Sequence, residues 1–181
     1  MSNYTLYDEH TAPEASQALL SNVRKKFGMI PNLYGYLAQS PVALNASLMI
    51  SNELMMHSSL TPAQVQVALL AISEQNNCEF CIAAHSWVGS QFDANPQTVK
   101  AIREGGVIQD TQDHAMVTFL RALVSDRGHV TPIIEQQFYE AGFSQANMFD
   151  LLVCNMLKSL TNYANHLVGI EINPEFIEFA R

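Results

Sequence analysis

Charge is what this sequence has least of. Asp, Glu, Lys and Arg make up 14% of 181 residues while hydrophobic residues make up 48%, and an ordinary soluble domain carries roughly 25% charge. Little charge with much apolar content excludes a disordered chain. It also leaves few charges to coat a small free monomer, so a homo-oligomer that buries part of its surface is expected. Basic residues are scarcer still. Nine Lys+Arg against 17 Asp+Glu give a net charge of −8, which argues against nucleic acid and anionic lipid as partners. There is no glycine-rich phosphate loop and no dinucleotide fingerprint, so no cofactor is expected. Cysteine is also sparse, with three in the chain. That is poor material for a secreted disulfide framework, and two of them stand as Cys78-x-x-Cys81, a spacing suited to redox chemistry or metal binding.

A membrane-spanning run is missing too. Residues 54–73 carry no Asp, Glu, Lys or Arg and are long enough for a span of ~20 residues. They include His57, Ser58, Ser59, Thr61, Pro62, Gln64 and Gln66, too many polar groups for hydrocarbon. The first residues, Met1-Ser2-Asn3-Tyr4, lack the basic start and apolar core of a secretory signal, so a cytoplasmic protein is expected. The length suits one domain, 1–181, with no linker or low-complexity stretch.

What is present is helical punctuation. Ser40-Pro41, Thr61-Pro62, Asn95-Pro96 and Thr131-Pro132 each place a capping side chain before a proline. The cap oxygen satisfies free N–H groups, and proline at the first helical position gives up an N–H that has no partner. Glycines at 28, 105–106, 128 and 142 mark stops. Apolar spacing between these marks is helical, as in Val65-Val67-Leu69-Leu70-Ile72 and in Phe149-Leu152-Val153-Met156-Leu157-Leu160. The expected helices are 13–27, 32–39, 42–56, 62–76, 79–91, 96–104, 112–126, 132–141 and 145–167, an all-α domain. A weak internal repeat is also expected. The cap-and-helix unit from Leu60 to Cys81 has a counterpart from Phe143 to Ala164, and only the first copy holds the cysteines.

Chemistry concentrates in Cys78-Glu79-Phe80-Cys81-Ile82-Ala83-Ala84-His85. Asn76-Asn77 breaks one helix, so another starts near Cys78. Cys78, Cys81 and His85, three and four apart, then share a face. A first-turn cysteine feels the positive helix end, which favours thiolate at Cys78, and His85 can take a thiol proton. Two thiols and a base form a dithiol that can attack a peroxide or a disulfide and close on itself. Zinc would need a fourth ligand, which the motif lacks. Cys154 falls in an apolar stripe and is expected in the core.

The segment Thr61–His85 resembles the core motif of the alkylhydroperoxidase D-like branch of the carboxymuconolactone decarboxylase family. Gly28-Met29-Ile30-Pro31-Asn32-Leu33 with Ser40-Pro41, and Asn162-Tyr163-Ala164-Asn165-His166, are similar to the terminal segments of its peroxidase-related members. The resemblance implies an all-helical fold that assembles as trimers, or as hexamers built from dimers or trimers. It implies antioxidant reduction of hydroperoxides at the expense of a thiol or protein electron donor. Cys81 would be the peroxidatic residue, Cys78 would give the proton and close the disulfide, and His85 would serve the proton relay. The decarboxylase branch generally lacks the cysteine pair. One position departs from the pattern. The family's relay glutamate falls at Gln66 here, and glutamine cannot carry a proton away. Glu74 is the nearest alternative carboxylate, and its other reading is a charge at a helix end.

The other histidines carry less. His57 and His114 are expected to face solvent or to cap, and His166 to be a buried, satisfied side chain. Met49, Met55, Met56, Phe80 and Trp87 could line an apolar pocket or simply pack. Two further classes of function stay open: a decarboxylase-like lyase that makes no use of the cysteines, and a non-enzymatic redox sensor whose disulfide alters a subunit interface.

Overall fold

A computed structural model describes residues 4–181. The helices run α1 Glu14–Phe27, α2 Asn32–Leu37, α3 Pro41–His57, α4 Pro62–Gln75, α5 Glu79–Gln91, α6 Pro96–Glu104, α7 Thr111–Ser125, α8 Pro132–Glu140 and α9 Gln145–Val168, and a 3-10 helix covers Pro174–Phe179. No strand occurs among the described residues. The punctuation expected from the sequence does its work in most places. Ser40, Thr61 and Asn95 each accept backbone N–H groups of the helix they open, whereas Thr131 occupies its cap position with no side-chain hydrogen bond. The 3-10 helix was not anticipated, although Asn173-Pro174 repeats the same dipeptide signal.

Helix α4 is the axis of the molecule. From Val65 to Ser73 every residue is buried, because α3, α5, α6, α7 and α9 all pack against it. This explains the charge-free stretch: a helix surrounded on all sides cannot carry ions cheaply. No helix among the described residues is long and apolar enough to cross a membrane. Two cores meet along α4 and α5. One joins α4 to α6–α9, with Phe138 stacked between Phe119 and Phe143. The other gathers Leu20, Leu33, Leu44, Cys78, Phe80, Cys81 and Phe176 from both ends of the chain.

The apolar stripe of helix α9 is split between solvent and core. Phe149, Leu152 and Met156 are exposed, while Leu151, Cys154, Leu157, Lys158, Thr161, Asn162 and Asn165 turn inward. Periodicity defines faces of a helix but not which face has a neighbour. Its orientation is held at the second turn, where the Asp150 carboxylate accepts from Ser58 Oγ (2.8 Å), Ser59 N (2.7 Å) and Ser59 Oγ (2.6 Å). At the other end of the chain, Asn32 N donates to Asn173 Oδ1 at 2.8 Å. That bond closes α2 and the C-terminal segment over the start of α5.

Candidate active site

The turn between α4 and α5 delivers the two cysteines. Asn77 takes a left-handed conformation, with φ of 54°, which asparagine tolerates better than most residues. Its N–H donates to Glu74 O and the Cys78 N–H to Ser73 O, both at 2.9 Å. This is the paired closure of a Schellman ending. Cys78 therefore ends one helix and stands at the N-cap of the next, and Cys81 occupies the first turn of α5. Both thiols are free and 1% exposed.

Around Cys81 the structure assembles groups that lie far apart in the chain. Asn165 Nδ2 donates to its sulfur at 3.5 Å, and Cys78, Lys158 and Asn162 stand near enough to act on the ionisation of the thiol. Burial alone would push the Cys81 thiol up. The Cys78 hydrogen bond, the Lys158 charge and the hydrogen bonds from Lys158 and Asn162 together outweigh it and bring the group down to about 6. Cys78 moves the other way, raised first by its hydrogen bond to Cys81, then by burial and by the charge on Cys81. Helix position alone favours thiolate at Cys78; the groups around the pair in the structure favour it at Cys81 instead and oppose it at Cys78.

Lys158 is 2% exposed. Its Nζ lies 2.9 Å from His85 Nε2, and His85 Nδ1 lies 3.0 Å from Gln66 Oε1. An ammonium can only donate and a glutamine oxygen can only accept. His85 is therefore the Nδ1–H tautomer, with its Nε2 lone pair held by Lys158. Burial, reinforced by the Lys158 charge, keeps the imidazole neutral by holding its pKa well below the usual range. His85 thus reaches Cys81 through Lys158, accepting from Lys158 and donating to Gln66 in the chain Cys81–Lys158–His85–Gln66. Gln66 also donates to Met55 Sδ at 3.2 Å.

Glu74 stands outside this chain. Its Oε2 accepts from Arg121 Nη2 of α7 at 3.0 Å. Glu79 is likewise engaged, by Arg181. His166 is exposed and lies beside the Tyr163 ring, not buried as anticipated. His57 and His114 are exposed, and Cys154 is in the core with its thiol pushed up to about 12, mainly by burial. No group of three or more His, Cys, Asp or Glu suited to a metal ion occurs among the described residues.

Beside His85 and Lys158 lies a cavity of about 80 Å³, walled by Phe27, Tyr34, Phe80, Trp87 and Phe176. Phe176 meets Trp87 at 5.1 Å and Phe80 at 6.0 Å between ring centres. Of the expected pocket residues, Phe80 and Trp87 are in the wall, but Met49 and Met56 are exposed on α3. The Tyr34 hydroxyl is pushed up to about 12 by burial and by the Cys81 charge, so it stays protonated beside the thiolate.

No protein-family model matches the chain, and none of the curated proteins does. Solved structures do. An uncharacterized peroxidase-related protein from Ralstonia eutropha JMP134, an alkylhydroperoxidase AhpD core, superposes with a TM-score of 0.85 at 21% identity, over 97% of this chain and 94% of that one. The chain has the alkylhydroperoxidase D-like fold. An uncharacterized peroxidase-related protein from Silicibacter sp. TM1040 shares this fold with a TM-score of 0.81 at 20% identity, over 96% of this chain and 92% of that one. The debrominase Bmp8, as a cysteine-to-alanine variant in complex with 2,3,4-tribromopyrrole, superposes with a TM-score of 0.79 at 13% identity, over 99% of this chain and 97% of that one. Within this alkylhydroperoxidase D-like fold, Lys158 and Tyr34 stand at the candidate site without having been singled out in the sequence, and Asn162 and Asn165 were singled out there only as part of a C-terminal resemblance. One signal for Lys158 was available: it is the only Lys or Arg between Arg127 and Arg181.

Proposed function

We propose that this chain is a thiol-dependent peroxidase in which Cys81 attacks hydroperoxides and Lys158 replaces a carboxylate relay. The supporting observation is a buried lysine 2.9 Å from His85 whose charge also bears on Cys81. Cys81 sulfur takes the terminal oxygen of ROOH and becomes a sulfenic acid, and the O–O bond breaks to leave RO⁻. Lys158, held by His85, is placed to give that alkoxide a proton. Asn165 Oδ1 is a buried acceptor without a hydrogen-bond partner among the described residues, and the new S–OH would supply a donor. Cys78 sulfur then displaces water to form the Cys78–Cys81 disulfide. An external dithiol returns two electrons, for a net ROOH + 2 R′SH → ROH + H₂O + R′SSR′. No cofactor enters this cycle, and the donor thiol suits a cytoplasmic setting.

Peptide mapping by mass spectrometry after one equivalent of cumene hydroperoxide tests the reading. The expected result is a disulfide between Cys78 and Cys81, with the Cys154 thiol intact. Retention of all three thiols would overturn it. A second reading follows from the aromatic walls of the cavity and the debrominase neighbour. In it, the same dithiol reduces an electron-rich aryl halide, releasing halide as the disulfide closes and a proton takes the halogen's place. Halide release from a bromopyrrole, with no consumption of hydroperoxide, would select it. A carboxylated lactone consumed equally well by Cys81→Ser would select the lyase class. A reversible disulfide without turnover would select a redox sensor.

The assembly we infer is a homo-oligomer. Helix α9 exposes Phe149, Leu152, Met156, Tyr163 and Leu167 in one heptad-like stripe, and α3 exposes Val42, Met49 and Met56 seven residues apart. Neither stripe carries a charge, so a second copy of the same surface is a suitable cover. Sedimentation of Leu152→Glu/Met156→Lys should show a 20.1 kDa monomer where wild type sediments as a larger species. A monomeric wild type at micromolar concentration would remove the idea.

A further inference from the structure

Helix α5 presents polar groups to two sides. His85 faces Lys158, and the next residue, Ser86, lines a second cavity of about 480 Å³ between α5, α6 and the C-terminal 3-10 helix. The two cavities share no lining residue. In the second, two donors are buried without hydrogen-bond partners among the described residues: Arg103 Nε and Ser86 Oγ. Ser86 is 1% exposed. The Arg103 guanidinium lies over the Phe179 ring, 6.0 Å from its centre. The ring offers no lone pair to the guanidinium N–H groups.

Native structures rarely leave such groups unmet, and each exception calls for a partner. A guanidinium cannot accept, so the partner must bring acceptor oxygens. Two oxygens in one plane suit the side-on edge of an arginine. Lys100 also lines the cavity, and neither it nor Arg103 enters an ion pair among the described residues. Asp93 and Glu104 line it too. These two carboxylates offset the two cations and disfavour a dianion such as phosphate. Ala94, Val99 and Phe179 leave the remaining wall apolar.

We propose that this cavity is a binding site for a monocarboxylate with a short apolar body, its two oxygens accepting from Arg103 and Ser86. The carboxylate supplies what the buried donors lack, and its single charge fits the mixed lining. The apolar body lies along Val99 and Phe179. Phe179 is three residues from Phe176, which walls the redox cavity, so a ligand here would rest on the segment that closes the redox site.

Calorimetric titration of the reduced full chain with hexanoate tests the site. Saturable binding is expected, about tenfold or more weaker in Arg103→Gln and weakened to a lesser degree in Ser86→Ala. Hexanamide, the neutral isostere, should not bind. If Arg103→Gln fails to fold, Ser86→Ala carries the test through its smaller but measurable loss of hexanoate affinity. The proposal is overturned if hexanoate does not bind, or if hexanamide binds as well. It is equally overturned if inorganic phosphate displaces hexanoate at lower concentration, or if the folded variants bind like wild type.

Discussion

Cys81→Ser is expected to reduce hydroperoxide consumption to the rate of the uncatalysed reaction, and Cys78→Ser to stop turnover while sparing the first step. The asymmetry follows from what each sulfur feels. Cys78, the Lys158 charge and Asn162 lower the pKa of Cys81 against its burial, which favours the thiolate at 81. Cys78 donates to that thiolate and its own deprotonation is opposed. A serine hydroxyl at 81 neither ionises near neutrality nor attacks a peroxide oxygen. In Cys78→Ser the sulfenic acid forms with no resolving thiol, so intact-mass measurement should find an adduct of about 16 Da on the Cys81 peptide. The opposite pattern, with Cys78→Ser inert and Cys81→Ser oxidised at Cys78, would exchange the two roles.

Lys158→Met should shift the ionisation of Cys81 upward from about 6 to at least the ordinary thiol value of about 8.5. At pH 7 that shift lowers the thiolate fraction by about thirtyfold, from nearly all to a few per cent. Ultraviolet thiolate absorbance across a pH titration measures it directly. Methionine fills a similar volume without a charge, and Cys81 can take up a proton once the ammonium is gone, so no buried charge is left unpaired and the fold should survive. If the titration midpoint stays near 6, Lys158 is a packing residue and the thiolate is held by Cys78 and the amides.

The same titration carries a stability signature. The folded chain releases the Cys81 proton near 6, whereas the unfolded chain releases it near about 8.5. The unfolded state therefore binds more protons between those values, and stability rises with pH across the window. The contribution is full above about 8.5 and is lost as the pH falls through about 6. His85 adds loss on the acid side, because the folded imidazole stays neutral well below its usual range while the unfolded one takes up a proton. In Lys158→Met the slope above pH 6 should flatten.

Helix positions were legible in the sequence because their signals are local. Ser40-Pro41, Thr61-Pro62 and Asn95-Pro96 dictate a start through atoms three residues away, and Asn76-Asn77 dictates a stop in the same manner. The grouping of Cys78, Cys81 and His85 was legible for the same reason, since helical rise and turn alone place them together. Glu74 shows the limit of that logic. It is near the motif in the chain, but the hand of the helix points it at Arg121.

The sequence by itself determined an all-helical chain, a thiol pair at the head of α5 and a histidine one turn beyond. Only tertiary structure brings Lys158 and Asn162 of α9 to the thiols, and their influence on Cys81 arrives from 77 residues away in the case of Lys158. It also decided that the polar face of α9 turns inward, since the Asp150 bonds to Ser58 and Ser59 set that helix's rotation. Local spacing fixes which residues share a face. Only packing decides what that face meets, and a buried ionisable group responds to the neighbour it meets.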